Sequence, residues 1–230
     1  MIKIENYEVV GWEHTIRGMR NPMNSWDRSD SGYKCPYYNT KETVCSGCNE
    51  NMCIGPNDHD LMQRLASGGS DDRKFMRMIT VYLDVTAPLY WWKEFDTYKV
   101  GTVANSCSTM HKIHSKPFEI DDFSHEHLIS NKYKDVDGYL CISPIGTLIG
   151  TIEQLNSFRE LYLETKDKKY WWQMIQLLPS SYNQKRTVML NYEVLKNIYH
   201  ARKNHKLDEW HYFCDWIESL PYSELITGGN

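Results

Sequence analysis

The chain predicts an α+β domain, with α/β the neighbouring class, and three observations carry that prediction. In KFMRMITVYLDVTAP the side chains alternate as in a strand: Ile79, Val81, Leu83 and Val85 fall on one face, Thr80, Tyr82 and Asp84 on the other. DLMQRLASGG, PLYWWKEFDTY and ETKDKKYWWQMIQLLP instead carry apolar residues at helical spacing. Finally, 230 residues, 41% of them hydrophobic, can bury a substantial core as a single domain over 1–230.

Taken in order, the first 70 residues are dense in Asn, Asp, Gly, Tyr and Cys and read as loop with short elements, including a Cys-rich insertion at about 33–55. A short helix begins near Asp58 and stops at the Gly68-Gly69 pair. The strand follows, and Pro88 then suits the first turn of a helix with aromatic bulk on one side. After it comes TYKVGTVANSCSTMH, residues 97–111, a loop crowded with small hydrogen-bonding groups. A helix is expected from near Thr151 to just before Pro179. A last helical region is expected from about Gln184 to Ser219, broken near Asn204. On one helix Asn191 and Arg202 would share a stripe, about 20° apart and about 16 Å along the axis, with Asn197 about 120° round from Asn191.

A formal net charge of −4 argues against a surface built mainly for nucleic acid. There is no apolar run of bilayer-spanning length, and MIKIENYEVV lacks the pattern of a signal peptide, so a cytoplasmic protein is expected, with no membrane partner. Of seven cysteines, Cys35, Cys45, Cys48 and Cys53 cluster in a segment with little apolar residue to fold around. Four thiolates suit tetrahedral structural zinc; free thiols and an iron–sulfur cluster are the alternatives. Cys107 is either a nucleophile beside Ser108 or a small buried filler, and no partner base is identifiable. The pairs His111/His114 and His125/His127 could chelate, but they read more simply as solvated or core histidines.

LPSSYNQKRTVMLNYEVLKNIYHARKNHKLDEW resembles the C-terminal helical region of flavin-dependent thymidylate synthases, with Leu178-Pro179 followed without a gap by Asn191, Asn197 and Arg202. Counting on from Ala87-Pro88 sets TYKVGTVANSCS on that family's R-H-R-x-x-S-x-N-x-x-S-x-R-Y signature. Asn105 and Ser108 then match its Asn and second Ser, Lys99 its third basic position, and Thr102 its first Ser if one residue is inserted before Asn105. Thr97 and Tyr98 stand at the signature's Arg and His, Met110 and His111 at its Arg and Tyr, and Asp72 at a flavin-contacting His. The basic residue before Leu177-Leu178-Pro179 is missing, with Gln173 and Gln176 the nearest polar groups.

The resemblance implies an antiparallel or mixed sheet with long C-terminal helices, in a divergent, phage-like member. It implies FAD as cofactor, and reductive methylation of deoxyuridylate (dUMP) with methylenetetrahydrofolate as one-carbon donor. Ser108 and Arg202 would act at the nucleotide, while Lys99, Thr102, Asn105, Asn191 and Asn197 would bind the cofactor. It also implies a homotetramer with shared sites, for which Trp91-Trp92 and Trp171-Trp172 would supply interface bulk. A repurposed nucleotide-binding domain without flavin chemistry is the other reading.

Overall fold

The computed structural model describes residues 2–33 and 52–228. Its strands are β1 (Lys3–Val10), β2 (Thr80–Pro88), β3 (Val103–Ser106), β4 (Tyr133–Lys134), β5 (Leu140–Cys141) and β6 (Asn183–Asn191). Its helices are α1 (Trp12–Arg20), α2 (Pro56–Ala66), α3 (Leu89–Phe95), α4 (Thr109–Lys112), α5 (Pro144–Thr165), α6 (Lys168–Leu177), α7 (Tyr192–Arg202), α8 (Asp208–Glu218) and α9 (Glu224–Thr227). One sheet has the order β1-β2-β6-β3, and β4 pairs antiparallel with β5 in a separate hairpin. This is the expected α+β architecture. Among the described residues no helix is long and apolar enough to cross a membrane.

The chain divides into two compact units. The first comprises Met1–Ile4, Val85–Thr97 and Asn105–Thr187. Its hydrophobic cluster gathers Phe118, Phe123, Leu148, Ile152, Leu155 and Met174, with Trp171 and Tyr182 packed against it. In place of one long helix there are two, because Lys166 turns left-handed at φ 56° and the Asp167 carboxylate caps α6 by accepting from Lys169 N–H. Trp91 and Trp92 are 0% exposed within the single chain, so they are core and not the interface bulk expected of them. Trp172 is exposed.

The second unit comprises Glu5–Asp84, Tyr98–Ala104 and Val188–Asn230. Ile79, Val81 and Leu83 of the alternating strand segment are fully buried here while Tyr82 is exposed, as the period-2 pattern requires. The N-terminal region is more ordered than its composition indicated. β1 is an edge strand whose alternation is interrupted at Asn6, with φ 51°, and α1 buries Thr15, Ile16, Met19 and Arg20 along one side. Buried Asp58 ties this region together: it accepts from Arg20 Nε at 2.6 Å, from the Ser29 and Ser31 hydroxyls, and from the Asp30 and Ser31 backbone N–H groups.

The segment expected as helix from Gln184 is strand β6 as far as Asn191, and α7 starts only at Tyr192. The expected break near Asn204 is present, between α7 and α8. The stretch 97–111 is likewise more than a loop, since it contains β3 and the single turn α4.

Candidate functional site

The second unit holds five of the seven residues expected at the nucleotide and the cofactor: Lys99, Thr102, Asn191, Asn197 and Arg202. Asn191 ends β6 and caps α7, its side-chain oxygen accepting from Val194 N–H at 3.0 Å. The predicted Asn191/Arg202 stripe is therefore replaced by another relation: the two residues mark the start and the end of α7, and Asn191 itself lies outside the helix. Arg202 is half-buried, donates from Nε to the Tyr98 hydroxyl at 2.9 Å and stands 4.9 Å over the Trp210 ring. A guanidinium held against aromatic faces is pre-oriented, so little freedom is lost when it meets a planar oxyanion. Tyr98 stands at the signature's His, and its role as Arg202's partner was not visible in sequence.

The loop from Tyr98 brings Thr102 to the same unit. Gly101 has φ +80°, and a Cβ there would stand 2.9 Å from Asn191 Nδ2 and 3.2 Å from Val194 Cγ2. Only glycine permits both the turn and this approach of the loop to the α7 cap. Thr102 buries its hydroxyl oxygen with no hydrogen-bond partner among the described residues, while Lys99 and Asn197 are exposed. A buried hydroxyl without a partner among the described residues, and an amide nitrogen that the cap leaves over, are groups that the polar edge of a heterocycle such as a flavin could use. The charge available for a diphosphate in this loop is Lys99. The signature position Thr97 contributes none, and its hydroxyl donates to Glu94 C=O at 2.7 Å.

In the first unit, Asn105 lies exposed on β3 and Ser108 follows it. The Ser108 hydroxyl accepts from His111 N–H at 3.1 Å, which caps α4. Cys107 is exposed, which removes the buried-filler reading. Two residues that the sequence did not single out, Gln184 and Arg186 of β6, reach the end of β3: Gln184 Nε2 donates to Cys107 C=O at 2.9 Å, and Arg186 Nε donates to Gln184 Oε1 at 3.0 Å.

Cys53 is buried and pairs with Gly32 through the backbone, whereas Cys35, Cys45 and Cys48 lie outside the described residues. Among the described residues no group of three or more His, Cys, Asp or Glu side chains is placed to hold a metal ion. His125 Nδ1 is hydrogen-bonded to Phe123 C=O at 2.8 Å, and the His114 ring lies edge-on to Tyr162, in keeping with their simpler reading.

No protein-family model and no curated protein sequence matches the chain. Solved structures do. The flavin-dependent thymidylate synthase ThyX from Helicobacter pylori, complexed with FAD and dUMP, is similar at a TM-score of 0.61 and 14% identity, over 97% of this chain and 95% of that one. The UMP/dUMP methylase PolB from Streptomyces cacaoi, bound with 5-Br dUMP, is similar at a TM-score of 0.60 and 12% identity, over 100% of this chain and 95% of that one. The chain thus has a ThyX-like fold.

Proposed function

We propose that this protein binds dUMP or a related pyrimidine nucleotide and methylates it reductively, with FAD as cofactor and methylenetetrahydrofolate as one-carbon donor. The observation that carries the reading is the fold, shared over nearly the whole of both chains with structures that hold FAD and dUMP or a brominated dUMP. FAD, when bound and reduced, supplies the hydride. The protein's own part is to bind, orient and neutralise. Arg202, fixed by Tyr98 and Trp210, holds an oxyanion edge of the pyrimidine. Ser108 meets the nucleotide phosphate, and Lys99 adds a fixed charge. Thr102, Asn105, Asn191 and Asn197 hydrogen-bond the flavin. Sites are shared within a homotetramer, as in the resemblance that led to this reading.

A flavin absorption band in the purified or FAD-reconstituted protein, perturbed on adding dUMP, is the expected result; absence of the band after reconstitution with FAD removes the flavin enzyme. One observation favours a second reading. At the signature's first two basic positions, Thr97 is committed to Glu94 and Tyr98 to Arg202, and neither carries a positive charge. A nucleotide-binding domain without flavin chemistry would show dUMP binding by calorimetry and no flavin band.

A further inference from the structure

Resting on the reading of Ser108 as the partner of the nucleotide phosphate, we infer that Gln184 and Arg186 are positioning residues that aim the Ser108 backbone N–H at that phosphate. Arg186 is held on three sides: its guanidinium carbon stands 4.2 Å over the Trp92 ring, Nη1 donates to Asp96 Oδ1 at 2.7 Å, and Nε donates to Gln184 Oε1 at 3.0 Å. A guanidinium has only donors, so it fixes which end of the Gln184 amide is oxygen and leaves the NH2 to face the other way. That NH2 donates to Cys107 C=O at 2.9 Å. Trp92 Nε1 donates to Gln184 C=O at 2.9 Å, which anchors the backbone from which both groups reach. Gln184 is 9% exposed and the Arg186 side chain 15%, so neither is a solvated surface group.

The consequence lies in one peptide plane. Cys107 C=O and Ser108 N–H belong to the same peptide, and there is no cis bond among the described residues, so the two point in opposite directions. With the carbonyl held by Gln184, and the preceding Cys107 N–H donating to Lys185 C=O at 2.9 Å, rotation of this peptide is blocked. Ser108 N–H is turned away from β6, and it has no acceptor among the described residues. A phosphate oxygen supplies one. The cation in this device never touches the ligand, since Asp96 already balances it. Its role is to keep a neutral donor from flipping.

The test follows the Ser108 amide resonance in 15N-labelled protein titrated with dUMP, deoxyuridine and inorganic phosphate, alongside calorimetry. In the wild type, dUMP and phosphate shift that amide downfield and deoxyuridine does not. Gln184→Glu still accepts from Arg186 but has no N–H for the Cys107 carbonyl. It is expected to weaken dUMP binding by about three- to tenfold, the worth of one neutral hydrogen bond, and to leave deoxyuridine affinity unchanged. Gln184→Met, close in volume and without the amide, gives the same split. A purely structural role would instead lower both affinities together. An unchanged ratio of dUMP to deoxyuridine affinity in both variants overturns the inference, as does a wild-type Ser108 amide that neither dUMP nor phosphate moves. If neither nucleotide binds while phosphate still shifts the Ser108 amide in the wild type and not in Gln184→Glu, the nucleotide reading fails and the positioning role stands.

Discussion

Thr102 buries a hydroxyl without giving it a partner among the described residues, a state that costs about 1–3 kcal/mol in a folded protein. A position selected only for packing would carry valine, which has the same shape and no unmet donor. Thr102→Val is therefore expected to leave thermal stability unchanged or raise it, while weakening flavin binding; calorimetry and thermal melts on the same samples check the two halves. Asp58 shows the opposite economy. Burial raises its pKa, but hydrogen bonds from Ser31, Ser29 and Arg20 and the Arg20 charge outweigh that, so the net shift is below the ordinary carboxylate value. A depressed folded pKa means that Asp58 contributes stability above the unfolded value, about 3.9, and loses it as pH falls through the folded value. Removing the charge leaves Arg20 buried without its counter-ion, a loss of about 3–5 kcal/mol for a broken buried pair. Urea titrations at neutral pH and down through the acid range should show Asp58→Asn much the less stable at neutral pH. The gap should then close below the wild type's folded pKa. A gap constant with pH would separate the Asp58 charge from the effect.

Helix α7 gives its capping residue two tasks. The oxygen of Asn191 caps the helix, and the amide nitrogen of the same side chain faces the Gly101 loop. The tasks separate by substitution. Asn191→Asp keeps an acceptor at a helix N-terminus, where negative charge is favourable, and is expected to retain stability while losing ligand affinity with the donor. Asn191→Ala loses both and costs about 1 kcal/mol of stability. Equal ligand affinity in wild type and Asn191→Asp, measured by calorimetry, would show that the amide donor is not used. The pairing of Asn191 with Arg202 was legible in the chain only as a spacing, because β6 does not read as a strand. Its inward positions are Gln184, Arg186, Val188 and Leu190, and the first two are polar. Alternation registers only when buried side chains are apolar, and here the polar half is satisfied by Trp92, Asp96 and Cys107 at large sequence separation. β2, whose inward face is wholly apolar, was legible. β1 was not, because Asn6 breaks its alternation. The helix α1 did carry a readable signal, Trp12, Ile16 and Met19 at helical spacing, hidden by the turn formers that follow it. At the candidate site, residue types and order could be read from the chain, but Tyr98 as the partner of Arg202 could not, since nothing local pairs residues 104 positions apart.

At the scale of the whole molecule, a run of exposed apolar and aromatic side chains lies between Leu128 and Ile149. Val136, Tyr139 and Ile142 are 101%, 72% and 69% exposed, and Leu128, Ile129, Tyr133, Leu140 and Ile149 are exposed beside them. Backbone bonds tie this segment together: Tyr133 pairs with Cys141, Lys134 with Leu140, and Ile145 N–H donates to Ile129 C=O. Eight large side chains exposed within so short a segment are the kind of apolar concentration that marks an interaction site. Soluble monomers seldom leave that much uncovered. The polar residues around it, Lys132, Lys134, Asp135 and Asp137, carry both signs, as a face meeting its own copy about a two-fold axis requires. If the chain assembles as proposed above, a second copy would be the occupant of this face, and a tetramer built from two kinds of two-fold contact would use the hairpin for one of them. The wild type is expected to sediment as a tetramer at micromolar concentration, and a Leu140→Glu, Ile142→Lys double variant as nothing larger than a dimer. Both positions are exposed, so the variant's circular dichroism and melting should match the wild type at concentrations where each is dissociated. A wild-type protein that stays monomeric across that range would leave the hairpin to some other partner and would remove the shared site with it.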